Sequence, residues 1–180
     1  MNDAGSRSGE QFVETPDGLD ERNGKDLRRR ALALLTRREH SRAELARKLA
    51  GYGPADHINQ VLMELETTGL LSDARAAAAL LRANGGRFGA TRLRQELRRK
   101  GLDPAVLESA DHDLADELTR AQAVWAKKFA TPPQDRQEWA RQARFLQGRG
   151  FSSEVIRQVV RLGLRQSGDP DMSDSDFGES

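Results

Sequence analysis

The chain has 180 residues, of which 37% are hydrophobic, 32% charged and 5% aromatic, too few large apolar side chains for an extensive sheet core. The absence of cysteine and the presence of only three histidines exclude disulfide frameworks, thiolate catalysis, cysteine-ligated metals and any imidazole cluster. The formal net charge of +1 hides a partition: residues 1–25 hold three basic against six acidic residues, residues 166–180 hold none against five, and residues 26–165 carry 26 basic against 17 acidic.

Taken in chain order, residues 1–25 are rich in Gly, Ser and Asp and show no helical period, so they are expected to form a disordered acidic tail. Apolar residues at three- and four-residue intervals then mark helices over 26–38, 41–51 and 54–68, with Ser41 and Glu44 in the spacing of a capping box. Ser72 and Asp73 open an alanine-rich helix over 72–84, and another is expected over 89–100. Asp103-Pro104 is the N-cap and first-turn proline of a helix over 103–112, followed by helices over 114–130, 134–149 and 152–165. Residues 166–180 are expected to form a second disordered acidic tail that folds back over the basic body and competes with its polyanionic partner. No segment alternates as a strand does.

The nine expected helices group in threes. Gly53, Gly101 and Gly150 each follow a leucine by four residues (Leu49, Leu97, Leu146) and precede an apolar residue by five (Ile58, Val106, Val155). This pattern predicts a helix stopped by a left-handed glycine, a short turn and a third helix packing back. The fold class is therefore all-α: an elongated tandem array of three three-helix modules of helix-turn-helix character, over 26–70, 71–113 and 114–165. No run is apolar enough for a membrane span or a signal peptide, and a monomeric cytoplasmic protein is expected.

Four segments in order give the chain a family resemblance. They are Leu34-Leu35-Thr36-Arg37-Arg38-Glu39-His40-Ser41-Arg42-Ala43-Glu44-Leu45, Gly69-Leu70-Leu71-Ser72-Asp73-Ala74-Arg75, Arg94-Gln95-Glu96-Leu97-Arg98-Arg99-Lys100-Gly101-Leu102 and Phe145-Leu146-Gln147-Gly148-Arg149-Gly150-Phe151. Over about residues 26–165 the chain resembles RecX, the bacterial regulator of the RecA recombinase. It departs from the family at Ala76-Ala77-Ala78-Ala79, where aromatic residues are frequent, and in its two acidic tails. The resemblance implies a non-enzymatic negative regulator that binds the groove of the RecA filament on DNA and inhibits ATPase, strand-exchange and co-protease activities. It places the protein in homologous recombination, DNA repair and the SOS response.

The basic residues supply the candidate partner-binding site. Of 29 basic residues 24 are arginine, gathered into blocks from Arg28 to Lys48 and from Arg75 to Lys100. Arginine suits phosphate and carboxylate partners through bidentate geometry. The candidates are Arg37, Arg38, Arg42, Arg47, Arg82, Arg87, Arg92, Arg94, Arg98, Arg99 and Lys100, with weak, salt-sensitive DNA binding expected. Alternative readings of the same residues are a helix-turn-helix-type DNA-binding protein and a general nucleic-acid binder.

Other motifs favour structure over chemistry. Gly85-Gly86-Arg87-Phe88-Gly89 lacks the ending of a nucleotide-binding loop and reads as a flexible turn that lets the first two modules re-orient. His40, His57 and His112 lie in separate modules, which suits surface or capping roles. The acidic clusters Glu64 with Glu66, and Asp111, Asp113, Asp116 and Glu117, lack a base or nucleophile, so no catalytic, metal or cofactor residues are expected. Trp125, Phe129, Trp139 and Phe145 read as core of the third module, and Tyr52 and Phe151 as covers of the turns beside Gly53 and Gly150.

Overall fold

A computed structural model describes residues 16–106, 117–129 and 131–166. Among them the chain is wholly helical, with eight helices: α1 (Pro16–Leu35), α2 (Arg42–Leu49), α3 (Ala55–Thr67), α4 (Asp73–Asn84), α5 (Ala90–Arg99), α6 (Glu117–Ala126), α7 (Arg136–Gln147) and α8 (Ser153–Gln166). The helix expected over 103–112 lies mostly outside the described residues. Asp103 does form its cap, its Oδ1 accepting from the Ala105 N–H at 2.9 Å.

The first helix corrects the sequence reading, because it begins at Pro16 and so takes in residues 16–25, which were expected to be tail. The absence of an apolar period had argued against it. Pro16 stands at the first helical position, which its fixed backbone angle suits. The later turns of this polar stretch are anchored by the buried Leu27 and Ala31.

Three separate cores form. Leu27, Ala31, Leu45, Leu49, Ile58, Val61, Leu62, Leu65 and Leu71 close the first, where α1, α2 and α3 meet. Ala76, Ala77, Leu80, Leu81, Leu93, Leu97 and Leu102 build the second from α4 and α5; the alanines let these helices approach closely. In the third, Ala121, Leu146, Phe151, Ile156 and Val159 are joined by the partly buried Trp125, Trp139 and Phe145. Each buried Leu, Ile or Val contributes about 1.5–3 kcal/mol, and each core is small. The aromatic residues of the third module thus serve packing: Phe129 meets Phe145 edge to face at 5.1 Å, and the Trp125 Nε1–H donates to Gln142 Oε1 at 2.8 Å.

The expected punctuation holds with one exception. Ser41 Oγ accepts from the Glu44 N–H at 3.0 Å and Ser72 Oγ from Arg75 at 3.3 Å; Asp135, not singled out in the sequence, caps α7 in the same way, its Oδ1 accepting from Glu138 at 2.7 Å. Gly101 and Gly150 are left-handed, with φ of 72° and 82°. Gly53 is not among the left-handed glycines; α2 ends at Leu49, the Tyr52 N–H returns to the Leu49 carbonyl, and a Cβ on Gly53 would lie 3.0 Å from Leu27 Cδ1. Its small size here makes room for α1 rather than for a backbone turn.

Candidate polyanion-binding face and the joints that position it

Helices leave N–H groups unpaired at one end and carbonyls at the other, and a module with a small core cannot bury these ends without partners. The structure resolves this between modules. Ser41, the N-cap of α2, donates through Oγ to the Lys100 carbonyl. Gly89, the N-cap of α5, donates its N–H to the Arg149 carbonyl at 2.9 Å. Each acceptor directly precedes a left-handed glycine. The carbonyl one residue earlier is also taken, by Arg47 at Arg99 (3.2 Å) and by Arg92 at Gly148 (3.1 Å).

The opposite ends are capped with equal regularity. The first N–H of α2, on Arg42, donates to Asp73 Oδ1 at 2.7 Å, and the first N–H of α5, on Ala90, donates to Glu117 Oε1 at 2.8 Å. Asp73 and Glu117 are the opening residues of α4 and α6. Close approach completes each joint, since a Cβ on Gly101 would lie 2.5 Å from Ala43 Cβ and one on Gly150 would lie 2.5 Å from Arg92 Cβ. The glycines are therefore fixed twice, by φ and by the neighbouring module.

These joints escaped the sequence reading, which assigned the glycines to turns within modules. The capping carboxylates stand 31 residues from Arg42 in one case and 27 from Ala90 in the other, so no constant spacing announces them. The Gly85–Gly89 segment also proves to be something other than a pivot between the first two modules. It connects α4 to α5 inside the second module, Gly85 is buried with its N–H on the Leu81 carbonyl, and Gly89 lies against Gly150.

The eleven candidate cations separate into groups. Arg38 forks onto Glu44, donating from both Nη atoms, and Lys100 Nζ reaches the same carboxylate at 3.1 Å from the second module. Arg42 stands 3.5 Å from Glu66, and Arg99 is paired with Glu96 at 2.7 Å within α5. Arg47 and Arg92 cap the next module's helix, and Arg92 and Arg87 lie over the Phe88 ring. Arg37, Arg82, Arg94 and Arg98 have no ion pair, side-chain hydrogen bond or ring contact among the described residues. Arg37, Arg82 and Arg98 are exposed, Arg94 half-buried. Arg94 and Arg98 sit one turn apart on α5, the helix clamped at both ends by joints. Arg120, by contrast, is 8% exposed on α6 and is no part of this face.

The charge state of this region follows from those contacts. The Arg38 fork, seconded by Lys100, pulls the Glu44 carboxyl from an ordinary value of 4.5 down to about 2, so it stays ionised across the working range. Glu96 beside Arg99 raises that guanidinium further. His40 is buried with Nδ1 3.0 Å from the Arg38 carbonyl, and its burial pushes its pKa down, so it adds no positive charge near neutrality. His57 is half-buried and His112 lies outside the described residues. Among the described residues no cluster of three His, Cys, Asp or Glu could hold a metal, and no helix is long and apolar enough to cross a membrane.

Comparison with known proteins matches all three modules. Residues 28–65, 72–110 and 115–160 correspond to the first, second and third three-helix domains of RecX. The chain is 50% identical over 139 residues to "Regulatory protein RecX" of Leptothrix cholodnii, covering 76% of this chain and 88% of that one. Against the protein of the same name from Chromobacterium violaceum it is 43% identical over 141 residues, covering 78% and 92%. Among solved structures it resembles RecX from Lactobacillus salivarius, with a TM-score of 0.66 at 19% identity, covering 79% of this chain and 97% of that one. A second structure, of regulatory protein RecX, gives 0.69 at 20% identity, covering 86% and 80%.

Proposed function

The chain belongs to the RecX family, and on that premise we propose that it is a non-enzymatic negative regulator of RecA. In this reading it binds the groove of the RecA filament on DNA as a monomer in the cytoplasm and inhibits ATP hydrolysis, strand exchange and co-protease activity. The observation that carries it is the placement of Arg94 and Arg98, one turn apart on the helix that both joints hold and without an ion pair among the described residues; Arg37 and Arg82 also lack one there. Guanidinium groups held ready in this way suit a partner that offers regularly spaced phosphates or carboxylates.

The ends of the array support the monomeric reading. In the first module Arg30 lies over the Tyr52 ring at 4.1 Å, covering the turn that joints use elsewhere. In the third, Asp135 caps α7 and Glu138 accepts from the Gln134 N–H at 3.1 Å, so α7 needs no carboxylate from a further module. Terminal units that satisfy their own ends close a repeat array. A helix-turn-helix reading is less well supported for the first module, because α3, its third helix, carries Asp56, Glu64 and Glu66 and no Lys or Arg to face a DNA groove.

The test is RecA ATPase on single-stranded DNA. Inhibition at well under one chain per RecA subunit, lost in the Arg94→Glu/Arg98→Glu variant with helicity unchanged, is the expected result. Inhibition only at amounts that saturate the DNA would replace this reading with a general nucleic-acid binder.

A further inference from the structure

The two joints share a plan but differ in material. Every described hydrogen bond across the first joint uses at least one side chain: Ser41 and Arg47 onto the α5 end, Arg42 N–H onto Asp73, Arg75 Nε onto Glu39 Oε1 at 2.8 Å, and Lys100 onto Glu44. The second joint contains two main-chain to main-chain bonds, Gly89 to Arg149 and Thr91 to Gly150 at 3.2 Å. It is also tighter, since a Cβ on Gly89 would lie 2.3 Å from the Gly150 carbonyl oxygen. Among the described residues no buried apolar cluster spans either joint, so these polar contacts and the close approach at the glycines set the angles.

We propose that the second and third modules form one stiff body, and that the first module swings on an ionic latch, Arg38–Glu44–Lys100, which a polyanion opens by competing with Glu44 for the two cations. Glu44 holds both Arg38 and Lys100, which the basic blocks would otherwise offer to a partner. Phosphates arriving beside them offer the same bidentate and monodentate contacts that the carboxylate makes. Ion pairs with Arg38 half exposed are weakened by salt, whereas the main-chain bonds of the second joint are screened little. Engagement of a polyanion and release of the first module are then one event, with the cost of opening subtracted from the affinity.

The proposal rests on the reading above only for its natural competitor; the salt and substitution experiments stand without it. The chain lacks cysteine, so spin labels can be placed cleanly. One pair, Gln60→Cys with Gln95→Cys, spans the first joint; another, Gln95→Cys with Gln147→Cys, spans the second. Pulsed electron spin resonance at low salt is expected to give a narrow distance distribution for both pairs. Raising salt, or adding a single-stranded oligodeoxynucleotide at low salt, broadens or shifts the first and leaves the second unchanged. Glu44→Gln and, independently, Lys100→Met reproduce the broadening at low salt. Freed cations that reach phosphates make the logarithmic salt dependence of oligonucleotide binding by Glu44→Gln steeper by roughly 0.7 each. Two narrow distributions under every condition, or equal broadening of both, would overturn the proposal; broadening by salt and substitution without oligonucleotide binding would keep the latch and reject the polyanion.

Discussion

Replacing Glu44 by Gln removes one charge and almost no volume, which makes it a sensitive probe of the first joint. The carboxylate lies at 14% side-chain exposure between Arg38 and Lys100. Its depression from 4.5 to about 2 is equivalent to at most about 3 kcal/mol of stabilisation; with Arg38 50% exposed, screening reduces this to about 1–2 kcal/mol. The sign follows from linkage. A carboxyl with a folded pKa below its unfolded value stabilises fully above pH 4.5, and the contribution drains away as pH falls toward 2. Roughly two-fifths of it is gone by pH 3.5. Urea unfolding followed by circular dichroism at low salt should therefore show the variant about 1–2 kcal/mol less stable at pH 7, with a visibly smaller gap at pH 3.5. A gap that is constant with pH would mean that Gln disturbs packing rather than charge, and no gap at pH 7 would refute the ionic role altogether.

Arg94→Glu/Arg98→Glu should weaken binding to single-stranded DNA and lower its logarithmic salt slope by about 1.4, measured by fluorescence anisotropy, while Arg99→Glu, already paired with Glu96, changes it less. Gly150→Ala should cost more than about 2 kcal/mol in urea unfolding, combining left-handed strain with a clash against Arg92, whereas Gly69→Ala, with φ 70° but open space around it, costs about 1 kcal/mol. Gln142→Leu should destabilise by about 1–3 kcal/mol and shift tryptophan emission, because Gln142 holds both the Trp125 indole N–H and the Thr131 carbonyl. Truncation after Arg165 removes five carboxylates and should tighten DNA binding at low salt; unchanged affinity would reject competition by that tail.

Helix existence was legible because its causes are local. Ser41, Ser72 and Asp103 cap as their spacing required, and the leucines at 45, 49, 93, 97 and 146 are buried as their period required. The first helix was misread at its start because its opening ten residues carry no apolar stripe, the signal on which the sequence reading relied. Gly53 was misread for a different reason: a glycine in a turn can supply a left-handed φ or merely the absence of a side chain, and only the position of Leu27 distinguishes them.

The sequence alone determined that this chain is helical, that its helices fall into three small modules, and that a basic body separates two acidic ends. Those properties depend on composition and on neighbours a few residues apart. Tertiary structure decided which cations remain available. Arg99 finds Glu96 three residues away, a pairing visible in the sequence, but Lys100 finds Glu44 across 56 residues and Arg75 finds Glu39 across 36. Such pairs form because helix ends without partners drive one module onto the next, and that docking occupies Lys100 while Arg94 and Arg98 keep no ion pair among the described residues.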